Sequence, residues 1–221
     1  MSYITQAELR RDSASLRAVS DLLLDATRDE GHRLVWTLFA GDPAARRDFL
    51  FHRSAPFRYI IVSTRPPQDT SGLWRLQSRP YDLHCVPGDR LAFALRANPT
   101  QSVRAGTGGR GKRVDAISWA ATGRERQIPA ETVERRALEW LRKREEGMGV
   151  RFAAGGCRVT NYRQASVPRK AGPAARLALV DFHGELVVQD AMALRHASVL
   201  GVGHARAYGC GLLLLRPVAA G

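Results

Sequence analysis

The chain has 221 residues, 44% hydrophobic and 25% charged, and 34 basic against 21 acidic side chains give a formal net charge of +13. That length and balance describe a globular protein with one large core or two small ones, and the charge points to a polyanionic partner. No apolar run approaches the length of a membrane span, and three scattered cysteines (Cys85, Cys157, Cys210) disfavour a disulfide scaffold or structural zinc.

Three of the basic residues are lysines (Lys112, Lys143, Lys170) and the rest arginines, whose planar fork matches phosphate oxygens two at a time. Met1–Gln6 lacks the basic and apolar regions of a signal peptide. A cytoplasmic protein is expected, with no membrane partner, no cofactor and no metal.

Residues 3–9 read as a first strand. Leu16, Val19, Leu22, Leu23 and Ala26 recur at helical spacing and predict a helix over about 14–26. Thr27-Arg28-Asp29-Glu30 has the capping-box pattern, so a second helix is expected to start there, with Val35, Trp36 and Phe39 inward. His32 then falls within its first two turns, near the positive end of the helix macrodipole. Past the Gly41-Asp42-Pro43 break, Phe49–Phe51 and Phe57–Thr64 read as strands, the second alternating Phe57, Tyr59 and Ile61 against Arg58, Ile60 and Val62. A loop at Pro66–Asp69, a short helix around 71–76 and a strand over Tyr81–Val86 complete the first half.

Pro87-Gly88-Asp89 reads as a junction between domains at 1–87 and 88–221. Leu91–Ala97 is a strand with Leu91, Phe93 and Leu95 on one face. Residues 98–130, rich in Gly, Arg, Pro and Thr, read as a mobile basic excursion. A helix follows over Ala130–Glu146, with Val133, Ala137, Trp140 and Leu141 inward and i,i+4 pairs Glu139–Lys143 and Arg142–Glu146 outside. Phe152–Tyr162 and Arg176–Val188 read as strands, the second with a hairpin turn at His183-Gly184. A helix over Ala191–Leu200 and a strand over Leu212–Arg216 close the chain. Each half runs strand, helix, strand, strand, helix, strand, so the expected class is α+β: two tandem ferredoxin-like (RRM-like) βαββαβ domains.

Between the last helix and strand lies Gly201-Val202-Gly203-His204-Ala205-Arg206-Ala207-Tyr208-Gly209-Cys210-Gly211. Glycine is used where φ must be positive or another backbone comes too close for a side chain. Four glycines beside an arginine read either as a ledge for a phosphodiester backbone or as an ordinary helix-to-strand turn. The dinucleotide fingerprint needs the opposite order of elements, and Gly-x-Gly-x-x-Gly fails at Arg206. Gly106–Lys112 fits seven places of a P-loop but has Arg113 where Ser or Thr must hold magnesium, so a phosphate-handling NTPase is disfavoured.

Arg47-Asp48-Phe49-Leu50-Phe51-His52, Phe93-Ala94-Leu95-Arg96-Ala97-Asn98-Pro99 and Gly209-Cys210-Gly211-Leu212-Leu213 together resemble the CasE (Cse3) family, in order and over nearly the full length. The resemblance implies a CRISPR repeat endoribonuclease that grips the repeat hairpin and cuts at its 3′ base without a metal ion. It also implies that the product stays bound and that other subunits of the Cascade complex are partners. The family's helix histidine corresponds to His32. A tyrosine is frequent three places before that histidine; here the position is Asp29.

Metal-free RNA cleavage uses the ribose 2′-hydroxyl as nucleophile and leaves a 2′,3′-cyclic phosphate and a 5′-hydroxyl. One group takes the 2′ proton and another protonates the leaving oxygen, while the phosphorane needs positive charge. His32 is assigned as general base or acid, since imidazole serves either transfer near neutral pH. Arg28 and Asp29, four and three residues earlier, share its helical face, Arg28 for the scissile phosphate and Asp29 to orient the imidazole. For RNA binding the candidates are Arg163, Arg169 and Lys170 in a basic loop, and Gly201, Gly203, His204, Arg206, Gly209 and Gly211 in the glycine-rich stretch. His52 and His84 read as structural, His183 as a turn residue and His196 as helical. The competing function is a subunit that holds RNA without cutting it.

Overall fold

The computed structural model describes residues 1–24, 30–39, 47–103, 111–118, 128–167 and 174–218. The first half contains β1 (Tyr3–Leu9), α1 (Ser13–Leu24), α2 (Glu30–Trp36), β2 (Phe49–Ala55), β3 (Arg58–Ser63) and β4 (Trp74–Pro80). Its sheet runs β2-β3-β1-β4 with every neighbouring pair antiparallel. Alternation in β1 and β3 sends Ala7, Leu9, Tyr59 and Ile61 to the helix side, where they meet Leu34, Val35, Phe49, Phe51 and Trp74.

Local chemistry sets the helix starts. Asp12 accepts hydrogen bonds from the Ser15 amide (2.9 Å) and hydroxyl (3.0 Å), which satisfies an orphan donor at the head of α1. The helix phase that follows buries Ser15 and Val19, and Leu16, expected inward, is exposed. The capping box at Thr27-Arg28-Asp29 lies outside the described residues. The helix expected around 71–76 is replaced by a turn that Asp69 organises, accepting from the Ser71 amide (3.1 Å) and the Trp74 amide (2.9 Å). The chain then enters β4, which pairs with β1 along its whole length. That edge is therefore filled by 74–80, and Tyr81–Val86 forms no strand.

The second half contains β5 (Arg90–Ala97), the hairpin β6 (Thr100–Val103) and β7 (Lys112–Asp115), α3 (Ala130–Arg142), α4 (Glu145–Met148), β8 (Val150–Val167), β9 (Ala175–Val188), α5 (Ala191–Leu200) and β10 (Leu213–Pro217). The sheet order β10-β5-β9-β8, all antiparallel, is the ferredoxin-like order with the β6–β7 hairpin inserted. The first sheet follows the same order, so the fold is α+β with two tandem ferredoxin-like units. Lys112, the end of the P-loop look-alike, starts strand β7 rather than a helix.

Val133, Ala137, Trp140 and Leu141 of α3 are all buried, as the helical spacing predicts. The helix ends at Arg142, short of Glu146. Arg144 closes the end, donating to the Trp140 carbonyl (2.6 Å) with its guanidinium 3.5 Å from the Trp140 ring centre. Glu139 pairs with Arg135 (3.1 Å) instead of Lys143. Strand β9 runs unbroken through His183-Gly184, where the sequence predicts a hairpin turn. Opposite it β8 bulges between Phe152 and Cys157, and a side chain at Gly184 would collide with the Gly156 backbone.

Helices cover one face of each sheet, and the two uncovered faces approach each other. Leu50 and Val62 from the first sheet pack on Leu212 ahead of β10, with Ile4, Ile60 and Leu214 around them.

Candidate active site

His32 stands on α2 over the aromatic side of β2. Its ring lies 5.9 Å from Trp36, 6.0 Å from Phe49 and 6.5 Å from Phe51, centre to centre. Gly31 lets the helix come this close, because a methyl group there would sit 3.1 Å from Phe51 Cε2.

The second half delivers its share through a single 3-10 turn, Arg206–Tyr208. Ala205 (φ 61°, ψ 33°) and Gly209 (φ 73°, ψ 23°) bracket this turn in the left-handed region. That conformation costs a non-glycine residue about 1 kcal/mol or more and persists where surrounding structure imposes it. Arg206 imposes part of it, donating from Nη2 to the Gly201 carbonyl (3.2 Å) and from Nε to the Gly203 carbonyl (3.4 Å).

Tyr208, Gly209 and His32 thereby line one cavity of about 460 Å³ together with Arg53, Arg96 and Arg163. Ser166 and Gln164 of β8 complete its polar wall. No carboxylate lines it among the described residues, so its field is positive. Arg96 is held from behind by Asp181, Nε to Oδ1 at 2.6 Å and Nη2 to Oδ2 at 2.9 Å. Burial opposes ionisation of the Asp181 carboxyl, but the Arg96 bonds and charge outweigh it and keep the group below the ordinary carboxylate range. His52 of β2 abuts this pair, and burial first, then Arg96, pushes its imidazole below the ordinary value.

The four glycines of the C-terminal stretch answer protein contacts. All have positive φ, and a methyl group at Gly201 would lie 2.8 Å from Leu50 Cδ1, at Gly203 3.2 Å from Trp140, at Gly209 3.2 Å from Phe51 and at Gly211 3.0 Å from the Val202 carbonyl. The stretch is tied to itself and to β5 by Val202 N–H to Gly211 O (2.8 Å) and Gly211 N–H to Arg96 O (2.7 Å). Of the two readings open from sequence, the packed helix-to-strand turn accounts for the glycines, and Gly209 also lines the cavity.

Of the residues singled out from sequence, the structure brings together His32, Arg163 and Gly209. Arg206 braces the turn from within. His204 is exposed and outside the cavity, and its imidazole is lowered by partial desolvation first and then by Arg113, Arg144 and Arg206. Arg28, Asp29, Arg169 and Lys170 lie outside the described residues. Arg53 and Arg96 also line the cavity without having been singled out from sequence, and Tyr208 lines it where the sequence assigns no tyrosine a role. Arg53 was within reach, since period-two alternation in a strand puts it on the face of Phe51.

The chain matches a family model described as CRISPR associated protein over residues 2–217. It is 28% identical over 196 residues to the CRISPR system Cascade subunit CasE of Escherichia coli, covering 85% of this chain and 90% of that protein. Against the CRISPR-associated endoribonuclease Cse3 of Thermus thermophilus it is 29% identical over 226 residues, covering 94% and 93%. Among solved structures, CRISPR endoribonuclease Cse3 bound to a 19-nucleotide RNA is similar with a TM-score of 0.71 at 26% identity, over 98% of both chains. Thermus thermophilus Cse3 bound to an RNA representing a pre-cleavage complex gives 0.70 at 25%, over 98% of this chain and 99% of that one. Matched from end to end in sequence and in fold, this chain belongs to the CasE (Cse3) family of CRISPR-associated proteins.

Proposed function

We propose that the protein is a CRISPR RNA-processing endoribonuclease of a Cascade complex, cutting precursor RNA at the 3′ base of the repeat hairpin and keeping the product. The observation that carries this reading is the shared cavity. An imidazole from the first half and a phenol from the second line one arginine-rich space. That is the set a 2′-hydroxyl attack on a phosphodiester requires: two proton-transfer groups and positive charge for the phosphorane.

In this scheme the 2′ oxygen forms the new bond to phosphorus as the bond to O5′ breaks, giving a 2′,3′-cyclic phosphate and a 5′-hydroxyl. His32 performs one of the two proton transfers and the Tyr208 hydroxyl the other. Arg163, Arg53 and the Asp181-anchored Arg96 supply positive charge toward the phosphate. Arg28 and Asp29, ahead of α2 in the sequence, act on the phosphate and the imidazole respectively, and Arg169 and Lys170 act on the hairpin. Residues 1–87 and 88–221 form the two domains between which the RNA is gripped. The protein works in the cytoplasm with the other Cascade subunits; among the described residues no helix is long and apolar enough to cross a membrane.

The test incubates the wild type and His32→Ala with the repeat RNA in EDTA. Scission by the wild type to a cyclic-phosphate product, loss of about 10²–10⁴-fold in His32→Ala and no cut in RNA with a 2′-deoxy scissile nucleotide are expected. Binding without scission by the wild type would instead identify a non-cleaving subunit.

A further inference from the structure

A second cavity, of about 680 Å³, lies on the same uncovered face of the second sheet as the catalytic one. Register shows the continuity. Arg163 pairs with Leu179 in the catalytic cavity, Arg96 with Asp181 at its edge, Ala94 and Arg158 with His183, and Ala92 with Glu185. Cross-strand partners share a face, so these residues form one track. From Leu179 to His183 the track runs about 14 Å.

The lining of this second cavity is basic: Arg90, Arg158, Arg216 and His183 against Glu185. Glu185 is taken by Arg90, Nη2 to Oε2 at 2.6 Å. Arg158 and Arg216 have no carboxylate within ion-pair distance among the described residues, and both are exposed. The floor is Ala92 and Ala94, with the Gly155-Gly156 bulge of β8 at its side. Small residues at the floor allow a sugar–phosphate backbone to approach, and forked arginines at the walls match its oxygens. The volume suits a stretch of single strand and is too small for a duplex.

We propose that this groove is a second RNA site that holds the phosphates of the single-stranded segment continuing beyond the base of the hairpin. The inference rests on the RNA-cleaving reading above and adds a contact that determines affinity for flanked substrates.

The test uses non-cleavable repeat hairpins carrying a 2′-deoxy scissile nucleotide: blunt, extended at the 5′ side, and extended at the 3′ side. Binding is measured by fluorescence anisotropy across a salt series for the wild type and for Arg158→Ala/Arg216→Ala. One extension is expected to tighten wild-type binding about tenfold, the size of charge-assisted contacts to phosphate. The double variant should lose that gain, keep its affinity for the blunt hairpin, and show a log–log salt slope shallower by about 1.4 on the extended RNA, two phosphates' worth. The arm that gains identifies which flank occupies the groove. The proposal is overturned if neither extension tightens wild-type binding, if the double variant keeps the gain, or if it loses blunt-hairpin affinity equally. Loss of assembly with other Cascade subunits while both RNA affinities persist would mark the groove as a protein contact and overturn it too. Failure of the wild type to bind any hairpin would instead sink the underlying function.

Discussion

Gly31 and Gly209, from opposite halves of the chain, press on the same atom of one ring: a methyl group at either would lie 3.1 or 3.2 Å from Phe51 Cε2. Phe51 is thus the abutment on which α2 and the C-terminal turn are both registered. Gly209→Ala adds left-handed strain at φ 73° to this contact, and the ring is held by Phe49 and Tyr59 and can give little. The expected result is a stability loss of about 1–2 kcal/mol in urea denaturation. Cleavage should fall more than RNA binding, because His32 and Tyr208 lose their common footing.

Tyr208→Phe removes one oxygen and leaves the packing of the turn. The expected outcome is a loss of about 10²–10⁴-fold in single-turnover cleavage with unchanged RNA affinity. A substrate with sulfur in place of O5′ tells which proton Tyr208 moves, since a thiolate leaves without protonation. Recovery of the wild-type rate on that substrate assigns Tyr208 as the acid and His32 as the base; no recovery reverses the two.

The strands and helices with regular alternation were legible: β1, the buried stripe of α3 and both ends of α5 agree with their spacing. What failed was side-chain chemistry that overrides pattern. Asp69 folds the segment before Trp74 into a turn, and the residues beyond it then pair with β1, so β4 begins inside the stretch read as a short helix. Gly184 reads as a turn signal because its reason, the β8 bulge across from it, belongs to a neighbouring strand and not to the local sequence. In the site, His32 was legible through the family resemblance and Arg163 through its place in a basic loop. Tyr208 was not, because the sequence does not say which side chain of the C-terminal stretch turns toward α2.

Removing the Asp181 carboxylate leaves Arg96 charged, mostly buried and without its two-point partner. Asp181→Ala is expected to cost about 1–3 kcal/mol of stability, discounted from a fully buried pair because water still reaches the guanidinium. Asp181→Asn keeps the shape and one acceptor and should cost less. Both should slow cleavage if Arg96 needs its anchor to face the cavity, read as a fall in rate at saturating protein.

Acid should weaken the fold through His52. Its imidazole is held below the usual value of 6.5 by burial first, then by Arg96, with His183 adding to the effect and Asp181 opposing it. In the unfolded chain the same imidazole protonates near 6.5, so as pH falls through that value the unfolded state takes up a proton that the folded state does not. Stability is therefore fully present above that range and declines as pH drops below it toward the folded value. His52→Gln removes the titration while keeping a polar side chain of similar reach in the same strand. The urea midpoint of the wild type should fall between about pH 7.5 and about pH 5 by more than that of His52→Gln, and equal falls would show that His52 does not carry the acid sensitivity. Asp181 does not confuse the comparison, because its depressed carboxyl stays ionised throughout this window and loses its contribution only in stronger acid.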